Sequence, residues 1–321
     1  FAASRCIGMI RGIEEMSGLS ALPGPVNVAI GIFDGVHQGH LALVRAVTQR
    51  EGTPAVLTFV HHPAEVLGAG GAPRQISTSE HKRDILSDSG IECLLSLEFN
   101  RLRAAQSAED FVREIAKSCE LGCIAVGSGF RFGHRREGDV DLLARLGDEL
   151  GFDVCDIEPV CDANGTVISS TRIRAALDGG DLLVANELLG RPYSITGEVR
   201  HGRELGHSIG FPTANIQLRA DELLASGVYA VSVQLEGERL SGVAILGTRP
   251  TVAPENDSPL LEVHLFDFNR DIYGFEMEVF FQTRIRDEQT FNGVEALRQQ
   301  IEKDVRAACE LLVESSDRKA L

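Results

Sequence analysis

Short runs of aliphatic and β-branched residues alternate with amphipathic stretches from Val26 to about Asp156. VNVAIGIF, HLALVRAVTQ, AVLTFV, ISTSEHKRDILSDSG, CLLSL, SAEDFVREIAKSC and CIAVG follow one another in that order. This βαβα rhythm predicts a parallel sheet covered by helices. In such sheets ligands sit outside the carboxyl ends of the strands, so the loops after strands are where chemistry is expected. STRIRAALDGGDLLVANELLG then reads as two short helices broken by Gly179 and Gly180, and Gly190, Arg191 and Pro192 interrupt the helical pattern. A domain boundary is expected there, between residues 1–190 and 191–321.

Beyond Ser194 the pattern changes to strands separated by turn residues. SITGEVRH, GVYAVSVQL, RLSGVAIL, LLEVHLFDF and EMEVFFQT are spaced by GFPTAN, APENDSP and NRDIYG. Closing these strands into a small barrel removes their exposed edges, so a barrel is expected rather than an open sheet. From Gly293 onward Val294, Leu297, Ile301, Val305, Ala308, Leu311 and Leu312 recur every three to four residues. That spacing predicts one C-terminal helix packed on the barrel, with Asn292 and Glu295 resembling a capping box.

The 321 residues fit two domains of ordinary size. The formal charge of −16 repels polyphosphate backbones and anionic lipid, so nucleic-acid or membrane partners are not expected and any phosphate must be held locally. Apolar runs such as Val26 to Phe33 fall far short of the roughly 18–20 residues of a membrane span. FAASRCIGMIRG lacks an apolar leader core, and the seven cysteines form no C-x-x-C pair. Reduced thiols and a cytoplasmic location are the expectation.

The sharpest local feature is GIFDGVHQGH, Gly31 to His40, which leaves a strand and enters a helix through glycines. Amides at a helix N-terminus carry partial positive charge, glycine lets a phosphate approach the backbone, and His37 and His40 can donate to phosphate oxygens. No serine, cysteine or lysine stands in this stretch as a nucleophile. The inferred chemistry is in-line displacement at a nucleotide α-phosphate, driven by positioning and electrostatics. A turn whose histidines are merely hydrogen-bonded fits the same residues. Downstream, ISSTRIR (Ile168 to Arg174) opens a helix with hydroxyls followed by arginines; Ser170 or Thr171 could cap it while Arg172 forks onto a phosphate.

GIFDGVHQGH, TFVHHPAEVL, VGSGFRFGHRREGD and SSTRIRAALDGGD, in this order over about residues 26–190, resemble the adenylyltransferase half of bacterial bifunctional riboflavin kinase/FAD synthetases, within the nucleotidyltransferase superfamily. The resemblance implies that ATP adenylylates FMN with release of pyrophosphate, Mg²⁺ bridging the phosphates. It assigns Asp34, Gly35, His37, His40, Ser170, Thr171 and Arg172 to ATP and transition-state contacts, with Arg174 nearby. His62 is a further candidate on the flavin side, although a histidine before Pro63 is equally a plain strand-end residue. Gly129 stands where this family usually has asparagine or aspartate before F-x-F-G, which removes one polar contact, and His61 replaces the proline of a P-H-P turn.

In the β-rich half, GFPTANI (Gly210 to Ile216) places a hydroxyl and an amide in a loop between strands. Thr213 and Asn215 are hard oxygen ligands suited to Mg²⁺, which completes its shell with water and nucleotide phosphates; an ordinary Asx turn fits as well. In LEVHLFDF, Glu262 and His264 project to one side of a strand, where a carboxylate can act as general base toward a hydroxyl. GEVRHGRELGHSIGFPTAN, GVAILGTRPTV, LEVHLFDF, DIYG and IRDEQTF are similar to the riboflavin kinase half of the same family, over about residues 192–312. This implies transfer of the ATP γ-phosphoryl group to the riboflavin 5′-hydroxyl. Gly210, Thr213 and Asn215 then face ATP and Mg²⁺, Glu262 is the base, and Arg286, Glu288 and Phe291 hold the flavin. His207 and Ile245 depart from the usual basic residue and asparagine, so weaker ATP binding is expected.

The expectation is therefore an α/β nucleotidyltransferase-like parallel-sheet domain followed by a small all-β barrel with a C-terminal helix. Its ligands are riboflavin, FMN, FAD and ATP, and a homo-oligomer is possible. A nucleotidyltransferase for another phosphorylated metabolite and a flavin-binding protein with impaired catalytic sites are the alternatives.

Overall fold

The computed structural model describes residues 10–68, 72–202, 210–218, 223–247 and 260–318, with side chains to Val313. Two compact units are present, one of residues 1–73 and 77–170, the other of 74–76 and 171–321.

In the first unit β1 (Arg11–Ile13), β2 (Val26–Ile30), β3 (Thr53–Phe59), β4 (Cys93–Leu97), β5 (Leu121–Gly127) and β6 (Asp153–Ile157) form a parallel sheet ordered β1-β4-β3-β2-β5-β6. Strand β2 is buried along its whole length, which explains a continuous apolar run rather than an alternating one. Helices α1 (Gln38–Thr48), α2 (Pro63–Leu67), α3 (Ser79–Asp88), α4 (Arg101–Ala105), α5 (Ala108–Ser118) and α6 (Val140–Leu150) connect the strands. Two apolar clusters result. One joins Leu57, Leu95 and Ile124 to Phe111, Ile115 and Leu143, and the other joins Val56, Leu94 and Ala125 to Val44, Val47 and Leu86. From β2 the sheet grows through β3 to β4, then β5 returns to the other side of β2. The order reverses between β2 and β5, and the loops leaving their carboxyl ends, Gly31–His37 and Ser128–Gly133, flank this switch point.

The second unit carries α7 (Ser170–Asp178, divided from the first unit after Ser170) and α8 (Leu182–Leu189), broken at the expected glycines; Gly180 and Gly190 adopt positive φ of 72° and 75°. These helices group with the barrel, so the units divide at Ser170/Thr171 rather than near residue 190. The reason is hydrogen bonding: Asn186 Nδ2 donates to the Phe281 carbonyl at 3.0 Å, Tyr193 N donates to Asn186 Oδ1 at 2.7 Å, and Ala225 N donates to the Leu177 carbonyl at 3.1 Å.

Strands β7 (Tyr193–Arg200), β8 (Ala214–Gln217), β9 (Gly227–Leu235), β10 (Glu238–Gly247), β11 (Leu260–Leu265) and β12 (Glu276–Arg286) close an antiparallel barrel in the order β10-β11-β8-β7-β12-β9. The expected parallel sheet, barrel and C-terminal helix are thus all observed. Strand β8 is a difference: Ala214–Gln217 lies in the stretch read as a loop and pairs with both β7 and β11. Inside the barrel Tyr229, Val279, Phe281, Leu261 and Val263 are fully buried. Outside it α9 (Val294–Arg318) packs Val305 and Ala308 against Val228, Ala230 and Val243. Because α9 starts at Val294, Gly293 (φ 102°) rather than Asn292 precedes its first turn, which corrects the expected capping box. Among the described residues no helix is long and apolar enough to cross a membrane.

Candidate active sites

The Gly31–His37 loop is strained and anchored. Phe33 and Val36 take positive φ of 55° and 39°, a region that a β-branched residue rarely occupies, and both are fully buried. Their burial in the core offsets the strain. Asp34 is 6% exposed and His37 is 7% exposed. His37 caps α1: its Nδ1 accepts from His40 N at 3.4 Å, which leaves Nε2 to carry the proton in the neutral ring. The His37 and His40 rings stack with centroids 3.7 Å apart. Gly39 permits this, since a Cβ there stands 3.1 Å from the His37 ring.

Two hydroxyls brace the loop from outside it. Gly35 N donates to Ser77 Oγ at 3.3 Å, and Ser170 Oγ donates to the Asp34 carbonyl at 3.1 Å. Ser170 is the first residue of α7 rather than the cap before it, a correction to its expected alternative role. The structure therefore brings Asp34, Gly35, His37, His40 and Ser170 together around one turn. Thr171 and Arg172 follow on α7 in the second unit, Thr171 exposed and Arg172 half-buried. Arg174 Nε donates to the Arg74 carbonyl at 2.8 Å, and Arg74 pairs with Asp178 at 2.8 Å, both contacts lying within the second unit. His62 caps α2: its Nδ1 accepts from Ala64 N at 3.2 Å and its own amide donates to Glu65 Oε1 at 3.2 Å, a reciprocal capping box. Ser77 was missed because nothing in its local pattern marks a hydroxyl that meets a loop 42 residues earlier.

In the barrel, register gathers residues far apart in sequence. Arg286 pairs with Val228, Val228 with Ile245, Ile245 with Glu262, Glu262 with Asn215, and Asn215 with Arg200. Directly paired residues share a face of a sheet, so Arg286, Val228, Ile245, Glu262 and Asn215 all face outward in a belt round five of the six strands, with Glu262 directly beside Asn215 and Ile245. The inner face of β11 is taken by the buried Leu261, Val263 and Leu265, while Glu262 and His264 are half-buried outside. His264 Nδ1 lies 2.8 Å from the Pro212 carbonyl and its ring meets Phe211 edge-on, which holds the Gly210–Thr213 segment against β11.

Asn215 is 6% exposed; Nδ2 donates to the Thr213 carbonyl at 3.2 Å, while buried Oδ1 has no hydrogen-bond partner among the described residues. A Cβ on Gly202 stands within 2.4–2.6 Å of the Asn215 amide, so only glycine leaves that space. An orphaned amide oxygen in a glycine-bounded recess, on a cavity that Thr213 also lines, fits a hard divalent cation. A cavity of about 350 Å³ adjoins Thr213 and Asn215.

Arg286 is less free than its expected flavin contact requires. Nε and Nη2 fork onto Asp304 of α9 at 2.9 and 2.7 Å, Gln300 Nε2 also donates to Asp304 at 2.9 Å, and the guanidinium lies 5.7 Å from the Phe291 ring centroid. The pair fixes the guanidinium plane and brings Arg286 and Phe291 together. The Glu288 carboxylate lies over the end of β10, where a Cβ on Gly247 would stand 2.7 Å from it. Gly210, with φ 86°, precedes the loop as expected. Asp304 was missed because a buried acid inside an amphipathic helix carries no local signal. His207 and the Thr248–Pro250 stretch of GVAILGTRPTV lie outside the described residues.

Residues 20–172 match the FAD synthetase family model, and residues 189–312 match the riboflavin kinase model. The bifunctional riboflavin kinase/FMN adenylyltransferase of Escherichia coli (strain K12) is 41% identical over 303 residues, covering 92% of this chain and 95% of that protein. The chain belongs to the bifunctional riboflavin kinase/FMN adenylyltransferase family. The Haemophilus influenzae member is 40% identical over 306 residues, with 94% and 97% covered. A crystal structure from Streptococcus pneumoniae, described as a macrolide-efflux protein, superposes with TM-score 0.80 at 31% identity, covering 92% of this chain and 97% of that one. In this family, the strained histidine loop and the barrel belt fall in the FAD synthetase and riboflavin kinase matches respectively.

Proposed function

We propose that the chain converts riboflavin to FMN and FMN to FAD with two molecules of ATP, acting in the cytoplasm, with the kinase in the barrel unit and the adenylyl transfer at the Gly31–His40 loop of the first unit. The observation that carries this reading is the direct pairing of Glu262 with Asn215, whose buried amide oxygen has no hydrogen-bond partner among the described residues, in the domain matched by the riboflavin kinase family.

For the first step, Glu262 accepts the proton of the riboflavin 5′-hydroxyl as its oxygen attacks the γ-phosphorus of ATP and ADP leaves. Arg286 and Glu288 orient the isoalloxazine ring and Phe291 covers it. Gly210, Thr213 and Asn215 border the nucleotide, whose phosphates we place in the adjoining cavity of about 350 Å³. Thr213 and Asn215 are the residues that would hold Mg²⁺, which when bound neutralises phosphate charge.

For the second step, a phosphate oxygen of FMN attacks the α-phosphorus of ATP, the new P–O bond forms in line, and pyrophosphate departs. Nothing in the protein becomes covalently attached. The Asp34–Gly35 backbone, the Nε2–H of His37, and His40 stabilise the charge that grows on the phosphate oxygens. Ser170, Thr171 and Arg172 contact the triphosphate, and His62 is retained as a flavin-side residue whose ring also caps α2.

The test is incubation of the purified chain with riboflavin, ATP and Mg²⁺, followed by chromatographic separation of the flavins. FMN and then FAD are expected. FMN alone points to adenylylation of a different acceptor, and neither product refutes the reading in favour of a binding protein.

A further inference from the structure

Lys82 belongs to no motif that the two reactions use, yet it reaches the underside of the phosphate loop. It sits in the first turn of α3 and donates from Nζ to the Ile32 carbonyl at 3.1 Å. The same carbonyl accepts from Thr58 Oγ1 at 2.9 Å. Ile32 immediately precedes Phe33, the first residue of the strained turn, so these two donors fix the point where the chain leaves the sheet. Among the described residues no carboxylate pairs with Lys82 at ion-pair distance; its charge acts at longer range on Asp34. Burial pushes the Lys82 ammonium below its ordinary range, and Asp34 pulls it partly back. A cation held in this way is expensive to bury unless its charge is put to use.

Resting on the adenylyl-transfer reading above, we infer that Lys82 is a positioning residue for that reaction. It clamps the Ile32 carbonyl and sets its charge behind Asp34, so that the Asp34–Gly35 amides and His37 keep the shape that receives the transferring phosphate. Lys82 acts through the loop and touches no substrate. Without it, Thr58 alone holds Ile32 and the turn can relax toward less strained φ values, which disperses the donors the transition state needs.

The structure also supplies a way to separate positioning from mere folding. Lys82 lines a cavity of about 450 Å³ with Glu14, Thr58, Ser79, Arg83 and Ser96, large enough to admit a small alkylammonium ion in place of a truncated lysine. Lys82→Met and Lys82→Ala are compared with the unaltered full-length chain for FMN adenylylation and riboflavin phosphorylation in the same preparations. The expected result is a loss of about 10- to 100-fold in kcat for adenylylation, the scale of a lost charge-assisted contact that positions reacting groups. KM for ATP should move much less, and kinase turnover should be unchanged. Propylammonium should restore part of the Lys82→Ala loss, and propanol should not. Wild-type kcat in Lys82→Met, or restoration by propanol equal to that by propylammonium, overturns the inference. If Lys82→Ala does not fold, Lys82→Met decides through the kcat and KM split. A wild-type chain that makes no FAD from FMN refutes the adenylyl-transfer reading itself, whereas an active wild type with unaffected Lys82 variants refutes the positioning role alone.

Discussion

Asp304→Leu is the most informative single perturbation of the barrel unit. Asp304 is 3% exposed and accepts both prongs of the Arg286 guanidinium at 2.9 and 2.7 Å. Removing it leaves a largely buried cation without its counter-charge, a change that costs about 3–5 kcal/mol. Coulomb attraction across roughly 4 Å at an effective dielectric near 20 amounts to about 4 kcal/mol, which agrees in scale. For a unit of this size that corresponds to a fall of about 6–20 °C in unfolding temperature. The double variant Arg286→Met/Asp304→Leu exchanges the ion pair for apolar packing between β12 and α9, and should recover stability to within about 1–2 kcal/mol. It should not recover FMN formation, because the group assigned to the flavin ring is gone. Scanning calorimetry measures the first effect and riboflavin phosphorylation the second. An Asp304→Leu transition within 2 °C of wild type, about 1 kcal/mol or less, would refute the energetic argument. Full kinase activity in the double variant would refute the role of Arg286.

Four further outcomes are expected. Glu262→Gln should abolish FMN formation and spare FAD synthesis from supplied FMN, while His37→Ala does the reverse by a factor of about 100 or more; loss of both activities in either folded variant would reject two separate sites. Asn215→Leu should end kinase activity and the thermal shift produced by Mg²⁺ with ATP, yet change stability by only about 1 kcal/mol, since loss of the Nδ2 bond to the Thr213 carbonyl is offset by removal of a buried oxygen whose missing partner costs about 1–3 kcal/mol. Gly129→Asn should lower KM for FMN in adenylylation by a few-fold, about 1 kcal/mol for one recovered hydrogen bond, because no atom lies within 4 Å of a Cβ there; a raised KM counts against it. Burial pushes the Cys123 thiol up to about 12 and the Cys93 and Cys119 thiols up to about 11. Since the thiolate reacts, peptide mapping after alkylation at pH 8 should find exposed Cys161 and Cys309 modified well before those three.

Much of the architecture was legible because hydrophobic period tracks burial. The βαβα run, the helix break at Gly179–Gly180 and the change to strands after Ser194 are written in spacing alone. Strand β8 was not, because Pro212, Thr213 and Asn215 carry turn chemistry, and four residues are too few for alternation to outweigh it. The histidine loop announced itself through its glycines, but its strain did not: Phe33 and Val36 look like an ordinary apolar pair until their φ angles are known. The barrel belt was invisible for another reason. Arg286, Ile245, Glu262 and Asn215 face outward in one belt only through the pairing register of a closed sheet, which no single stretch of sequence encodes. Asp304 and Ser77 likewise gain meaning from partners 18 and 42 residues distant.

Gly202 is the quietest of these features and the one with the widest reach. Since any side chain at that position collides with the Asn215 amide, variation there is coupled to the fate of the asparagine: a lineage can lose the glycine only by surrendering, or relocating, the oxygen beneath it. Chains that keep this half of the protein but carry a larger residue at that point are therefore where a barrel that has outlived its phosphorylating activity should be sought.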